Sequence, residues 1–572
     1  MGTTLEVFFT GKFFRIPTYQ RDYAWDRENV DDLLDDIIEA IETNTSHYIG
    51  TFILSTASPP RVYSVVDGQQ RLTTLIMLFN VAIKELGTST DQIIYGDKFI
   101  RSQNDPTWRL ELLNDNCTFF QEMLLEDVKP KIQTKSQALL WEAYERIKTR
   151  IADLKSNQAV SGQLLEAIKQ LEVMEFIESD DGKAIRMFQT VNDRGKPLSN
   201  VEKAKSLLIY YSNRFLGGLL DDHINEQFGK IFHYFTEAKT IGEQCGIEVI
   251  SQKRFSEDSV MRYHFLAFAD NLYDFDASES YVLDNYLKST LKPLRGDNNR
   301  LEKFIRGYVA DLSLFFESFV RILRRVSQDK RYYKLFSILG LSARLYPLII
   351  RLETRDLLSH RVRHSAMLTM LDLIEVADVR VYKVRGTDPR ADMSYLARDA
   401  KHLNAREIRT KLVSFVNNFM SDSEFARRLK SDIYPNAVLK YVFTEYSEHL
   451  RDSEYSLQQL MEQSEKVPTV EHIFSREKTF DFPNFGFGSL DEYNDRVNTL
   501  GNLTLLEKAI NSQCHNKTPG EKISKDLYGS STFEDAKRIS AKVMNSGSAF
   551  VNTDVEERTR QIARFCMKRW RI

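Results

Sequence analysis

The chain has 572 residues, 28% of them charged and 42% hydrophobic, a globular composition too long for one ordinary core, so two or three domains are expected. Its formal net charge of −3 excludes a protein that coats nucleic acid indiscriminately, and any DNA contact must come from local basic surface. No secretory signal and no membrane-length apolar run is present, and Cys117, Cys245, Cys514 and Cys566 form no CxxC pair, which points to a reduced cytoplasm with no membrane partner.

Phe14 to Trp25, FRIPTYQRDYAW, interleaves aromatic residues with Gln20 and Arg21 and runs into a helix cap at Asp26. The helix predicted over about 28–43 places Val30, Leu33, Leu34, Ile37, Ile38 and Ile41 on one face. Its acidic run, from Asp31 to Glu39, reads as a solvated face and not as a metal site. Tyr48–Ser55 and Arg61–Val66 read as short strands around the turn-forming STASPP. The second strand ends in Asp67-Gly68-Gln69-Gln70-Arg71, and the amphipathic helix LTTLIMLFNVAIKEL begins at once. Strand, glycine turn and helix start leave backbone N–H groups pointing outward, where an anion is favoured. Arg71 adds a fork suited to phosphate, and the two amides suit a base edge or a ribose. Taken alone, these five residues make only a tight turn.

Residues 97–170 read as charged helix without a usable motif. Phe188 to Leu198, FQTVNDRGKPL, reads as a helix end, a polar turn at Asn192-Asp193-Arg194-Gly195, and a new helix whose Ser199 and Glu202 have capping-box spacing. From about 200 to 380 helix follows helix, with large aromatic residues and no catalytic cluster. Arg321 to Arg363 holds eleven Lys or Arg against Asp329, Glu353 and Asp356, a surplus able to follow a DNA backbone. Tyr382–Asp399, with Gly, Pro and charge, is the best linker candidate. The domain boundaries read as 1–215, a helical connector over 216–390, and 391–572.

Thr469 to Lys522 carries the chemistry. Glu471 and His472 are adjacent, and Asn502 and Asn511 lie nine residues apart around the strand-like LTLL, which leads into a helix start. A hard divalent cation needs oxygen ligands and open positions for phosphate and water, and a carboxylate with an amide oxygen supplies them. A histidine near its ordinary pKa can take a proton from water at neutral pH. His515, one helical turn beyond Asn511, is a rival ligand or a phosphate contact. The last helix, capped at Asp554, sets a seam of Val555, Ile562, Cys566 and Trp570 beside Arg558, Arg560, Arg564, Lys568, Arg569 and Arg571. It reads as docked, with a basic side that could face DNA.

The pattern EHI…LGNLTLL…N…NK resembles the His-Asn-His (ββα-metal) nucleases, and most nearly the C-terminal domain of the GmrSD-type, modification-dependent restriction enzymes. The resemblance implies that His472 is the general base and that Glu471 and Asn511 are ligands of Mg²⁺ or Mn²⁺. It also implies that Asn502 braces the hairpin and holds the imidazole. Where the family usually has a proline soon after the histidine, this chain has Ser475. YQRDYAW, then DGQQR, then FQTVNDRGKPL is similar to the N-terminal domain of the same GmrSD and SspE-like proteins. That domain has a ParB/sulfiredoxin-like core and is associated with nucleotide binding and hydrolysis. It implies a nucleoside triphosphate pocket of Gln20, Arg21, Asp67, Gly68, Gln69, Gln70 and Arg71, joined by Asn192 and Arg194.

The expected fold is a mostly helical α+β chain: a ParB-like domain, a helical connector and a ββα-metal nuclease domain. The expected function is nucleotide-regulated, metal-dependent cleavage of modified foreign double-stranded DNA, with room for a homodimer. Two alternatives stand beside it. One is a ParB-like, nucleotide-gated DNA-binding regulator with a non-catalytic hairpin, and the other is a nuclease directed at RNA.

Overall fold

The computed structural model describes residues 2–572 apart from 18–19, 21, 44, 46, 57–60, 104–106, 114, 156–157, 180–198, 271–274, 276, 360–367, 478–480 and 516. Its contacts divide the chain into two compact units, Met1–Phe228 with Tyr286–Gly307, and Gly229–Asn285 with Tyr308–Ile572. The helices expected as a separate connector over 216–390 are therefore shared between the units, most of them falling in the second.

The first unit is built on a six-stranded mixed sheet of order β1-β6-β3-β4-β2-β5. Its strands are β1 (Gly2–Thr4), β2 (Phe13–Arg15), β3 (Tyr48–Thr56), β4 (Val62–Asp67), β5 (Leu110–Glu111) and β6 (Glu172–Glu178). Strand β3 runs antiparallel to β4 and parallel to β6, and β2 runs parallel to β4. Helix α1 (Arg27–Thr43) starts where Asp26 Oδ1 accepts from the Asn29 N–H at 3.2 Å, and it buries Val30, Leu33, Leu34 and Ile37. The central element is α2 (Gln69–Leu86), in which every residue from Leu72 to Ile83 is buried. Within that run the amide of Asn80 accepts from the Tyr144 hydroxyl at 2.9 Å and donates to the Leu124 carbonyl at 3.2 Å. Tyr144 belongs to α3 (Lys135–Leu154), whose Arg146 and Arg150 pair with Asp31 at 2.8 and 3.5 Å. The acidic face of α1 is thus partly covered by arginines rather than simply solvated. Helix α4 (Asn200–Leu216) opens on a reciprocal cap between Ser199 and Glu202, as the spacing predicts.

In the second unit the surplus of positive charge over Arg321–Arg363 is taken up internally. Arg321 and Arg325 pair with Glu353, Arg324 with Glu237, Lys330 with Glu454, and Arg331 with Asp372. Lys334 pairs with Glu445 and Glu448, Arg344 with Asp388, and Arg351 with Asp311, while Arg355 donates to two backbone carbonyls. Arg361 and Arg363 lie outside the described residues. Among the described residues the stretch is a set of ion pairs rather than a run of free cations. Arg351 itself sits on α5 (Tyr346–Glu353), a helix buried along its whole length. The linker expected over Tyr382–Asp399 is also packed structure. It contains α6 (Arg390–Asp399), which buries Met393, Leu396 and Ala397, an apolar set at helical spacing that outweighs one Gly and one Pro.

Helix α7 (Val438–Arg451) precedes the hairpin of β7 (Pro468–His472) and β8 (Leu503–Glu507), which is followed by α8 (Lys508–Cys514) and the terminal α9 (Asn552–Arg569). The hairpin is antiparallel, with Glu471 opposite Thr504 and His472 opposite Leu503. Val555, Ile562, Cys566 and Trp570 are fully buried, as the seam predicts. Trp570 Nε1 donates to Glu375 at 2.8 Å, the Tyr441 hydroxyl donates to the same oxygen at 2.9 Å, and Arg569 pairs with Glu375 and Glu445. Trp570→Ala removes a buried indole together with one of these donors. It should destabilise the second unit by about 3–5 kcal/mol in a urea melt of the full chain. A transition unmoved from wild type would show that the tail is not anchored there.

Candidate functional site

The two N-terminal motifs are bound to each other. Gln70 Oε1 accepts from the Ala24 N–H at 2.7 Å and its Nε2 donates to the Asp22 carbonyl at 3.0 Å, so one amide clamps the FRIPTYQRDYAW segment. Gln20 Nε2 donates to the Val66 carbonyl at 2.5 Å, and the Tyr23 hydroxyl bonds Thr74 at 2.8 Å. Gly68 makes the turn at φ +92°, and a Cβ there would overlap the Phe52 ring. Only glycine adopts that conformation without strain. The first turn of α2 has no side-chain cap.

The expected pocket residues divide. Gln69 and Gln70 line a cleft with Asp22, Tyr23, Thr73 and Asn116, where Asn116 donates to Asp22 at 2.9 Å. Its enclosed volume of ≈ 20 Å³ has room for about one water, so a base or a ribose would have to displace lining side chains. Asp67 and Arg71 face the sheet instead. Asp67 accepts from the Gly68 N–H at 2.8 Å, and Arg71 donates to the Thr51 carbonyl at 3.3 Å and lies over the Phe52 ring at 5.5 Å. Burial raises the Asp67 pKa against the pull of Arg71, and burial lowers that of Arg71. The fork expected for phosphate is thus folded onto β3. Arg21, Asn192 and Arg194 lie outside the described residues. The sequence reading passed over Lys205 on α4, which is 2% exposed and whose pKa burial brings down to about 7 near Glu202 and Asp22. Its place inside the apolar stripe of Val201, Ala204 and Leu208 was the available signal.

In the second unit, alternation along β7 sends Glu471 and His472 to opposite faces. Glu471 turns inward beside Cys514 and Tyr528, where Lys522 Nζ meets its Oε1 at 2.7 Å. Burial raises the Glu471 pKa and Lys522 opposes it. The same ammonium donates to the His472 carbonyl at 2.8 Å and to Ser475 Oγ at 3.1 Å, so the serine in place of the family's proline has a partner of its own. Asn511 is held through Nδ2, which donates to Thr469 Oγ1 at 2.8 Å on the same face of β7 as Glu471. Its Oδ1 and the Glu471 oxygen not paired to Lys522 are hard donors suited to a divalent cation that completes its shell with water and phosphate. His515 is exposed past the end of α8.

His472 is 9% exposed, with the Tyr434 ring edge-on to it at 4.6 Å. Its Nε2 lies 3.2 Å from Asn498 Oδ1, and Asn498 Nδ2 donates to Asp432 Oδ2 at 3.0 Å. A carboxylate only accepts, so it orients the amide, and the amide oxygen then requires the imidazole hydrogen on Nε2. Nδ1 is left as the proton acceptor. Burial brings the His472 pKa down to about 4, Arg476 and Lys522 adding to the fall and Asn498 and Asp432 opposing it, so the ring is neutral at pH 7. The imidazole contact expected of Asn502 is therefore made by Asn498. Asn502 instead brackets Phe474, accepting from its N–H at 2.8 Å and donating to its carbonyl at 3.0 Å and to Val497 at 2.7 Å.

Asn498 and Lys522 were both missed from sequence. The first stands four residues before Asn502 in the same loop, and nothing local marks the second as buried. Asn498→Ala should slow any DNA nicking by this chain on the order of 10–100-fold, the usual effect of losing a bond that orients a functional imidazole. Asn502→Ala should lower the melting temperature first, because it deletes three bonds at the strand end. Nicking and thermal melts on the same preparations check both, and equal rates for Asn498→Ala and wild type would remove Asn498 from the site.

No curated protein matches the chain. Residues 5–209 match the family described as GmrSD restriction endonuclease, N-terminal domain. Residues 419–565 match that of the GmrSD restriction endonucleases, C-terminal domain, which spans β7, β8, α8 and most of α9. Both halves of one architecture are thus present in order on a single mostly helical α+β chain, and the chain belongs to the GmrSD restriction endonucleases.

Proposed function

We propose that this chain is a divalent-metal-dependent DNA endonuclease of the ββα-metal type, gated by a nucleoside triphosphate, that restricts foreign DNA carrying a modified base or backbone. The observation that supports it best is the neutral imidazole at the end of β7, its tautomer set through Asn498 by Asp432. On this reading His472 Nδ1 takes the proton of the attacking water. Glu471 and Asn511 would hold Mg²⁺ or Mn²⁺, which when bound supplies positive charge to the phosphate and the leaving oxygen. Asn502 and Lys522 hold the strand end still, which keeps the imidazole aimed.

We read the six-stranded sheet as the ParB/sulfiredoxin-like core. Gln69, Asp22 and Asn116 would take the base or ribose of the nucleotide, and hydrolysis would reset the switch. One observation favours the competing reading, a regulator whose hairpin is scaffold: the Glu471 carboxylate already faces an ammonium.

His472→Ala decides between them. It should lower Mn²⁺-dependent nicking of modified phage DNA by about 10²–10⁴-fold while the melting temperature and nucleotide binding stay unchanged. Undiminished nicking by a folded variant hands the hairpin to the scaffold reading, and the same assay on RNA separates the two nuclease targets.

Gating has its own test. A ligand shifts an equilibrium only by its difference in affinity for the two states. Gln69→Ala, which alters the cleft lining, should therefore weaken triphosphate binding in calorimetry and alter the nucleotide dependence of the nicking rate. Tight binding by wild type with one rate in every condition would make the first unit a reader of the DNA modification instead.

A further inference from the structure

The chain leaving His472 is fixed at three points. Asn502 holds both backbone groups of Phe474, the Tyr493 hydroxyl donates to the Ser475 carbonyl at 2.5 Å, and Lys522 bonds Ser475 Oγ at 3.1 Å. The next residue, Arg476, is exposed and starts from this rigid backbone. Its guanidinium lies over the Tyr434 ring, 5.7 Å from the centroid. The same ring meets the His472 imidazole edge-on at 4.6 Å and 77°. Guanidinium and imidazole are therefore neighbours across a single aromatic ring, at the loop end of the hairpin.

Other arginines near the hairpin hold carboxylates: Arg496 pairs with Glu556 at 2.5 Å and Arg558 with Asp535 at 2.7 Å. Arg476 forms no ion pair among the described residues. Asp432, the acid bordering this cluster, has Oδ1 on the Tyr434 N–H at 3.1 Å and Oδ2 on Asn498 at 3.0 Å. A planar fork of donors resting on an aromatic face, with no acid to satisfy it, matches a phosphate's geometry and loses little freedom on binding one.

We propose that Arg476 binds the non-bridging oxygens of the DNA phosphodiester presented to His472, and so sets which phosphate is cut. The proposal rests on the nuclease reading above, and its test keeps the two apart. Full-length wild type, Arg476→Met and Arg476→Lys are titrated against a fluorescein-labelled DNA duplex in EDTA, at several KCl concentrations, by anisotropy. Methionine keeps an apolar stem over Tyr434 and removes the charge, so it separates phosphate contact from packing.

The Met variant should bind about 3–30-fold more weakly at low salt. Its slope of log K against log salt should be smaller by ~0.9, the loss of one phosphate contact, and lysine should restore the slope. Nicking with Mn²⁺ should fall in the Met variant at an unchanged melting temperature. An unaltered salt slope overturns the proposal, even where His472→Ala abolishes nicking. A reduced slope beside a fully active His472→Ala variant overturns the nuclease reading, and with it the claim that the gripped phosphate is the one cut. No DNA binding by wild type overturns the proposal as well.

Discussion

A buried ammonium organises the end of β7. Lys522 is 1% exposed, and a charge at that depth must be paired and hydrogen-bonded or give up its proton. Its partners are the Glu471 carboxylate, the His472 carbonyl and the Ser475 hydroxyl, so satisfying one charge pins the chain on both sides of the candidate base. Asn502 adds the bracket on Phe474, and the backbone from Ile473 to Ser475 has little freedom left. The imidazole is then aimed by a second, shallower chain, Asp432 to Asn498 to His472. Breaking a buried ion pair by removing one partner costs on the order of 3–5 kcal/mol, more than any single contact around the imidazole. The deep pair holds the backbone and the shallow one sets the tautomer.

The first unit uses side-chain amides for the same purpose. Gln70 gives both ends of its amide to the backbone of Asp22 and Ala24, and Gln20 returns the contact at Val66. Two motifs about 46 residues apart are thereby one structural object. These amides are no longer at liberty to read a base, which leaves Gln69, Asp22 and Asn116 as the polar lining of the cleft. Lys205, whose pKa burial brings down to about 7 against the pull of Glu202 and Asp22, adds a group whose charge would respond to an anion nearby, since a negative neighbour favours the protonated amine.

What the sequence makes legible here is local. The pairing of Ser199 with Glu202, the apolar face of α1, the seam of α9 and the hairpin containing Glu471 and His472 each follow from spacing within a few residues. What it hides is non-local. Asp432 and Tyr434 reach His472 from about 40 residues upstream, and Lys522 reaches Glu471 across 51. The stretch from Arg321 reads as basic because most of its acid partners are elsewhere in the chain, Asp311 lying 40 residues before Arg351 and Glu448 lying 114 after Lys334. The segment read as a linker misleads for a different reason. One Gly and one Pro are conspicuous in a sequence, whereas Met393, Leu396 and Ala397 stabilise their helix by burial that only the folded unit supplies.

The neutralised middle bears on how DNA would be met. With those arginines paired, the cations without an ion pair among the described residues of the second unit lie elsewhere. Near the hairpin they include Lys466, Arg476, Lys508, Lys517 and Lys525, with Arg564 and Lys568 on the exposed side of α9 and Arg571 just beyond it. Surface charges act over about 8–10 Å at physiological salt, so these side chains would act on DNA at short range. Affinity for duplex DNA would scale with the number of phosphates they neutralise, whatever the sequence. On the proposed reading, a target is then selected by short-range contacts to whatever distinguishes it, before one phosphate is delivered to the imidazole.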